Sequence, residues 1–181
     1  CGIAEKFWKA RFENFDAYTD GLKNALQTVK EFVDDLRKGM NRSLWLCGNN
    51  GNGKTMLVAC VLYELGYGSY VKSYEIEDEL DEAASFSSKE SKKSVLQKYY
   101  TRKLLVIDEV GRFSSQKELA YLFRILNERY ERGLPTILVT NLDKKSLKEY
   151  LGQALFDRFS EMCTSITFSE ESYRTKIREV V

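Results

Sequence analysis

The chain has 181 residues, with 28 lysines and arginines against 27 aspartates and glutamates and a net charge of +1. A chain of this length can bury one substantial core, and its balanced charge means that any binding of nucleic acid would depend on a local patch. It contains no histidine, which excludes Ser–His and Cys–His catalysis and every histidine-ligated metal site.

Helical and strand patterns alternate along the chain. The apolar spacing predicts a helix over 20–40 with Asp20 as its cap, a helix over 54–66 that Gly66 ends, helices near 115–132 and over 143–151, and a short helix in "LGQALFDRFS" (151–160). Strands are predicted over 43–48, 69–74, 104–108, 136–140 and 165–168. Because these strands are nearly unbroken apolar runs between helices, we predict a three-layer α/β fold: a five-stranded parallel sheet with helices on both faces.

A glycine-rich loop lies between the first strand and the second helix. "GNNGNGKT" (48–55) matches the pattern G-x-x-x-x-G-K-[ST] of the P-loop, or Walker A motif. Its glycines let backbone N–H groups turn toward phosphate oxygens, and the helix that follows directs its positive end to the same place. We therefore predict a nucleotide phosphate site, with contacts from Gly48, Asn49, Asn50, Gly51, Asn52, Gly53, Lys54, Thr55 and Met56.

Acidic and amide side chains end two other strands. "LLVIDEVG" carries Asp108 and Glu109 out of a buried strand, and "TILVTN" ends in Asn141. Ligands bind at the carboxyl ends of strands in open α/β sheets. Thr55 and Asp108 suit Mg²⁺, Glu109 suits activation of a water, and Lys54 suits the β- and γ-phosphates. Asn141 could orient that water or serve only as a turn residue; the residue alone does not decide.

The ordered motifs resemble those of one family. "CGIAEKF…FENF", "GNNGNGKT", "LLVIDEVG", "LVTNL", "LGQALFDRF" and "SYRTK" together resemble the AAA+ ATPase domain of DnaC/IstB-type helicase loaders over nearly the whole chain. The resemblance implies a single AAA+ domain over 1–181 without the C-terminal helical lid of most AAA+ proteins. It also implies that the chain, which lacks an initiator Met, is a fragment without the N-terminal segment that binds the helicase.

The resemblance assigns further roles. It implies that Asn141 is sensor 1, that Arg158 is an arginine finger acting on the ATP of the next subunit, and that Arg174 is sensor 2. Phe15 would contact the adenine. Many relatives have a second arginine four residues before the finger, where this chain has Ala154, so all the charge acting across the interface would rest on Arg158.

The stretch 75–103, between the second and third strands, changes from acidic to basic. The resemblance implies a helical insertion that faces single-stranded DNA. The predicted DNA contacts are Lys72, Lys92, Lys93, Lys98, Tyr99 and Tyr100, and Tyr70 and Ser73 are further candidates. From the residues alone, a solvated lysine face with two core tyrosines is the favoured interpretation.

The resemblance implies an ATP- and Mg²⁺-dependent ATPase that assembles into a spiral or ring on single-stranded DNA. It would help to place the replicative helicase during initiation or restart of replication. A transposition helper of the IstB type and a DNA-binding scaffold with little turnover remain open, whereas Glu109 counts against a nucleotide kinase. Four cysteines without CxxC spacing predict reduced thiols, and the lack of a run of roughly 20 apolar residues predicts no membrane partner. The resemblance implies a cytoplasmic protein of bacterial or phage origin.

Overall fold

The computed structural model describes residues 2–113 and 115–169. After two short 3₁₀ turns (Glu5–Phe7 and Phe12–Asn14), five strands and seven α-helices follow in these ranges. The strands are β1 (Ser43–Gly48), β2 (Ser69–Lys72), β3 (Leu105–Val110), β4 (Thr136–Thr140) and β5 (Cys163–Phe168). The helices are α1 (Asp20–Arg37), α2 (Lys54–Leu65), α3 (Ser73–Glu82), α4 (Lys92–Thr101), α5 (Gln116–Glu131), α6 (Lys144–Leu151) and α7 (Gln153–Glu161).

The strands form one parallel sheet in the order β2-β3-β4-β1-β5, and this confirms the predicted fold class. All five carboxyl ends therefore lie along one edge. β1 lies between β4 and β5, and β3 lies beside β4, so the loop after β1 and the polar residues after β3 and β4 meet at that edge. This is the place where ligands bind in sheets of this kind.

The side chains of each strand alternate between two cores. On β1, Leu44 and Leu46 join the core with α1 and α2, whereas Trp45 and Cys47 join the core with α3 to α7. The alternation follows from the two-residue period of a strand. Helices therefore cover both faces of the sheet, and α1 lies on the face opposite α4.

Several predicted boundaries are corrected. α1 is capped by Thr19, whose side chain accepts from the Leu22 N–H at 3.1 Å, and not by Asp20. It ends at Arg37, because Gly39 takes a left-handed φ of 80° shortly afterwards. β2 ends at Lys72, because the Glu75 carboxylate accepts from the Lys72 N–H at 2.9 Å and starts α3 there.

Three further predictions differ from the structure in where a strand or helix begins or ends. β3 continues to Val110 through an irregular register beyond Ile107. β5 starts at Cys163, which pairs with Ser43 of β1. The stretch 151–160 is not one helix, because Gly152 has a φ of 79° and separates α6 from α7.

The stretch 75–103 holds most of α3 and all of α4, so it is helical with an irregular loop between the two helices. None of the described helices combines the length and the apolar character that crossing a membrane requires.

Candidate nucleotide-binding site

The loop between β1 and α2 has the backbone that a phosphate cradle requires. Gly48, Gly51 and Gly53 have positive φ angles of 126°, 83° and 94°. A Cβ on Gly48 would lie 2.1 Å from the Phe168 carbonyl oxygen, so the backbone of β5 packs too closely against this turn for any side chain. Gly53 forms the left-handed N-cap of α2, and the free N–H groups of the first turn of α2 therefore point toward the loop.

Lys54 is buried in the loop. Its Nζ donates to the carbonyl oxygens of Gly48 and Asn49, each at 2.6 Å, and to Asn52 Oδ1 at 3.1 Å. Burial lowers the pKa of Lys54 to about 8, while the nearby Asp108 carboxylate opposes that shift. The amine is therefore mostly protonated at neutral pH and can meet an anion.

Asp108 is buried and accepts three hydrogen bonds. Its Oδ2 accepts from Thr55 Oγ1 at 2.9 Å and from the Tyr70 hydroxyl at 2.8 Å, and its Oδ1 accepts from the Glu109 N–H at 2.7 Å. Burial raises the pKa of Asp108, and the hydrogen bonds from Tyr70, Glu109 and Thr55 oppose that rise. Burial also raises the pKa of Tyr70, so its hydroxyl remains a donor.

Glu109 has the left-handed backbone that side chains rarely adopt, with a φ of 60°. The Ser73 hydroxyl donates its one proton to the buried Glu118 carboxylate at 2.5 Å, and the same oxygen lies 3.2 Å from the Glu109 carbonyl oxygen. Glu118 accepts in addition from the Gly111 N–H at 3.2 Å. These contacts hold the turn after Asp108 from both sides. The Glu109 carboxylate itself is ion-paired with Arg112.

A cavity of about 450 Å³ joins these elements. Its polar wall holds Lys54, Thr55, Asp108, Glu109 and Asn141, together with the loop from Asn50 to Gly53. The cavity thus brings together Asn141, the predicted residues for metal and water, and the predicted phosphate contacts from Asn50 onward. Gly48 and Asn49 do not line it; their carbonyl oxygens accept from Lys54.

The other end of the cavity is lined mainly by residues that precede β1. Phe7, Phe15, Tyr18 and Leu22 supply rings and an aliphatic side chain, Asn14 and Asp16 are polar, and Met56 comes from α2. Phe15 packs against the loop so tightly that a Cβ on Gly53 would lie 2.8 Å from its ring. A buried ring beside the start of α2 fits the predicted base contact.

Arg158 lies elsewhere. It is exposed on α7, it is not among the residues that line the cavity, and its side chain donates to Asn127 Oδ1 on α5. Leu155, Phe156 and Phe159 are buried and hold α7 on the sheet, where Trp45 packs against both phenylalanine rings at centroid distances of 4.7 and 5.6 Å. Arg174, the predicted sensor 2, is outside the described residues.

The predicted DNA contacts are not equally accessible. Tyr99 is buried and donates to Glu79 at 2.8 Å, so the prediction that its ring stacks on a base is wrong. The hydroxyl groups of Tyr70 and Ser73 also donate to side chains of the protein, to Asp108 and Glu118 respectively.

The remaining predicted contacts are at least partly exposed: Lys72, Lys92, Lys93, Lys98 and Tyr100. Lys92 donates to the Tyr121 hydroxyl, and Lys98 is ion-paired with Glu90. Lys72 is ion-paired with Glu75.

Sequence reasoning missed two contacts at the site. The sequence offers Tyr70 as a candidate DNA contact, but its hydroxyl donates to Asp108, because the register pairs Tyr70 with Val106 and Lys72 with Asp108 on adjacent strands. No role is predicted for Arg112. Its position three residues after Glu109 was a usable signal, because a tight turn brings residues at that spacing together.

Comparison with known proteins identifies the family. The family model described as IstB-like ATP binding protein matches residues 9–180. The replicative helicase loader DnaC of Escherichia coli K12 is 28% identical over 182 residues, which cover 97% of this chain and 74% of that protein. DnaC of Buchnera aphidicola subsp. Schizaphis graminum is 26% identical over 184 residues, covering 98% of this chain and 74% of the relative.

Solved structures share the fold. A crystal structure of the DnaC helicase loader superposes with a TM-score of 0.81 at 21% identity, over 92% of this chain and all of that one. The replication initiator DnaA bound to AMPPCP and single-stranded DNA gives a TM-score of 0.75 at 21% identity, over 99% of this chain and 56% of that one. The chain therefore belongs to the IstB-like ATP-binding proteins, as a DnaC/IstB-like AAA+ ATPase domain.

Proposed function

We propose that this domain binds and hydrolyses ATP as part of a cytoplasmic helicase loader that assembles on single-stranded DNA and helps to deposit a replicative helicase. The observation that carries the proposal is that one cavity is lined by the buried Lys54, by Asp108, by Glu109 and by Asn141. Asp108 accepts a hydrogen bond from Thr55, and aromatic side chains line the other end of the same cavity. An ATP-hydrolysing site requires this set in one place.

The roles within the cavity follow from the chemistry of the side chains. Lys54 and the N–H groups at the start of α2 bind the phosphates, and Phe15 packs against the base. Glu109 takes the proton of an attacking water, and Asn141 orients that water beside the γ-phosphate. The lining of the cavity supports these assignments: Lys54, Glu109 and Asn141 belong to its polar wall, and Phe15 belongs to its other end.

Mg²⁺ is the proposed metal. Thr55 Oγ1 and Asp108 Oδ2 lie 2.9 Å apart beside Lys54, and hydroxyl and carboxylate oxygens are the ligands that Mg²⁺ prefers. When bound, the ion would neutralise charge on the phosphates. Thr55 and Asp108 are thus the residues of this chain that would hold the Mg²⁺ ion.

Self-association is proposed from the position of Arg158. The side chain is exposed and outside the cavity wall, so its charge could reach a γ-phosphate in the cavity of a neighbouring copy. A head-to-tail contact of this kind builds a ring or a spiral.

The partners are proposed from the relatives. Curated relatives carry the name replicative helicase loader, and a structural neighbour binds single-stranded DNA. The family description also names IstB, so a transposition helper with a transposase as partner stays the alternative. Purification of the complex with a replicative helicase or with a transposase separates the two.

The test of the proposed function is the ATPase rate as a function of protein concentration, with and without oligothymidylate. We expect a specific rate that rises with concentration, because each site needs a neighbour, and that rises further with DNA. A domain that binds ATP but shows no turnover under any of these conditions would instead be the scaffold with little hydrolysis.

Replacing Lys92, Lys93 and Lys98 together with alanine should weaken binding of single-stranded DNA. Each lysine that meets a phosphate contributes about 0.7 to the slope of log affinity against log salt, so the slope should fall by roughly 2 if all three do. Fluorescence anisotropy at several salt concentrations measures it. The matched control replaces Lys23, Lys30 and Lys38 of the α1 region, on the opposite face of the sheet. An equal loss in both triple variants would show only the effect of net charge.

Tyr70→Phe should move the acid limb of the pH–rate profile of ATP hydrolysis to higher pH. The hydroxyl of Tyr70 stabilises the Asp108 carboxylate, whose pKa burial already raises, and loss of the bond raises that pKa further. The active carboxylate form then requires a higher pH. Tyr67→Phe, at an exposed tyrosine, is the control. An unmoved limb in Tyr70→Phe would remove Asp108 from the groups that control the rate.

A further inference from the structure

A neutral side chain holds Arg158 at the place where α7 packs against α5. The Arg158 Nη1 donates to Asn127 Oδ1. Asn127 is fixed in turn, because its Nδ2 donates to Glu131 Oε1 at 2.8 Å on the next turn of α5. The amide oxygen of Asn127 therefore points at the guanidinium, and it keeps a long and exposed side chain in one position.

Two carboxylates belong to the same surface, and each of them accepts from a neutral donor. Glu131 accepts from Asn127, and Glu161 accepts from the Tyr130 hydroxyl at 2.7 Å. Glu161 follows Arg158 by three residues on α7, a spacing at which opposite charges on a helix face each other. Nevertheless, the ion pairs between described residues do not include Arg158, so within that part of the chain its charge has no carboxylate partner.

An arginine can neutralise a phosphate of another molecule only while its own charge is free. Guanidinium binds carboxylate and phosphate through the same pairs of N–H groups, so a carboxylate on Arg158 would compete with the γ-phosphate. A neutral amide oxygen takes up one N–H and leaves the charge and the other donors available. Arg158 is the only cation of α7, and Ala154 adds none one turn earlier. The neighbours of Arg158 therefore preserve the single positive charge that this helix carries.

We propose that Asn127 and Tyr130 are positioning residues for Arg158. Asn127 fixes the guanidinium through a neutral hydrogen bond, and Tyr130 keeps Glu161 from pairing with it. The inference rests on the proposed action of Arg158 on the γ-phosphate of a neighbouring copy. It adds that the subunit which supplies the arginine orients the side chain in advance, so less side-chain entropy is lost when two copies meet.

The first experiment measures the ATPase rate and the ATP affinity of full-length Asn127→Ala. The rate should fall about three- to tenfold, the size expected for one hydrogen bond that orients the arginine. The affinity should not change, because neither Asn127 nor Arg158 lines the cavity. The control is Gln27→Ala, which removes an amide–carboxylate hydrogen bond to Glu31 at the same spacing on α1.

The second experiment tests whether the charge of Arg158 has to be kept free. Tyr130→Phe releases Glu161, which then pairs with Arg158, and the rate should fall about two- to fivefold, as an exposed ion pair allows. Glu161→Gln removes the competing charge, so the double variant Tyr130→Phe/Glu161→Gln should return to the wild-type rate. A purely structural role of the hydrogen bond between Tyr130 and Glu161 predicts no such return, because the double variant lacks that bond as well.

The third experiment assigns the effect to one subunit. In a mixture of Arg158→Ala and Lys54→Ala proteins, the first supplies the intact cavity and the second supplies the arginine. Asn127→Ala added to the Lys54→Ala subunit should lower the recovered rate about three- to tenfold. The same change added to the Arg158→Ala subunit should leave the recovered rate as it was. Equal losses in both arrangements would show a general effect on folding or assembly and would overturn the proposal.

The outcomes separate this inference from the proposed function. If the mixture of Arg158→Ala and Lys54→Ala recovers activity, but Asn127→Ala and Tyr130→Phe hydrolyse ATP at the wild-type rate, the inference alone is overturned. If that mixture stays inactive, the proposed action of Arg158 on a neighbour is wrong, and the inference is wrong with it. If Tyr130→Phe is slow and Glu161→Gln does not restore its rate, Tyr130 does not protect the charge of Arg158, and the proposal is overturned at that residue.

Discussion

Lys54→Ala is expected to lose ATP binding by about 10²–10⁴-fold, because the ammonium would make two charge-assisted hydrogen bonds to phosphate at about 1.5–3 kcal/mol each. Lys54 is 5% exposed at the first position of α2. No other described lysine lines the cavity, so none can replace it. Titration with a fluorescent ATP analogue measures the affinity. ATP hydrolysis should disappear together with binding.

This experiment needs a control for folding, because Lys54 also makes hydrogen bonds within the loop in the absence of nucleotide. Its three hydrogen bonds to Gly48, Asn49 and Asn52 are lost in the alanine variant. Thermal unfolding of the variant without nucleotide therefore has to be compared with that of the wild type. An intact fold with wild-type ATP affinity would contradict the assignment of 48–55 as a phosphate-binding loop.

The sheet and the polar wall of the cavity could be predicted because their signals are local. A Gly-rich loop between an apolar strand and a helix has few alternatives, and "LLVIDEVG" and "TILVTN" each carry a polar end on a buried strand. Parallel pairing then brings Asp108 and Asn141 to the same edge as Thr55 without further information. The order of these motifs along the chain carries the family resemblance.

The parts that escaped prediction depend on contacts that the sequence does not encode locally. Whether Tyr99 faces solvent or Glu79 depends on how α4 packs against α3. Tyr70 meets Asp108 only because β2 is the neighbour of β3. The observed ends of β2 and the cap of α1 differ from the predicted ones because a single hydrogen bond sets each of them. Thr19 caps α1, and the Glu75 carboxylate caps the start of α3.

Arg158→Ala is expected to lower the ATPase rate by about 10³–10⁵-fold, the contribution of an arginine that stabilises charge on a transferring phosphoryl group. The affinity for ATP should be nearly unchanged, because Arg158 does not line its own cavity. This separates it from Lys54→Ala, in which binding and turnover fall together. Arg132→Ala, which loses an exposed arginine of another element, is the matched control.

Mixing the two variants tests whether Arg158 acts on a neighbour. The Arg158→Ala subunit has an intact cavity and no finger, whereas the Lys54→Ala subunit has a defective cavity and an intact finger. With random head-to-tail association of equal amounts, about one site in four combines a working cavity with a working finger. The mixture should therefore recover up to about that share of the wild-type rate, although each variant alone is inactive.

A double variant provides the control for that mixture. Lys54→Ala/Arg158→Ala protein added to Arg158→Ala should recover nothing, because no subunit then carries the finger. If the single Lys54→Ala variant also recovers nothing, Arg158 does not act across an interface. The exposed Arg158 on α7, whose side chain donates to Asn127, would then act within its own chain or not at all. If activity returns only with the intact arginine, the ATP site is shared between two copies, and assembly itself controls hydrolysis.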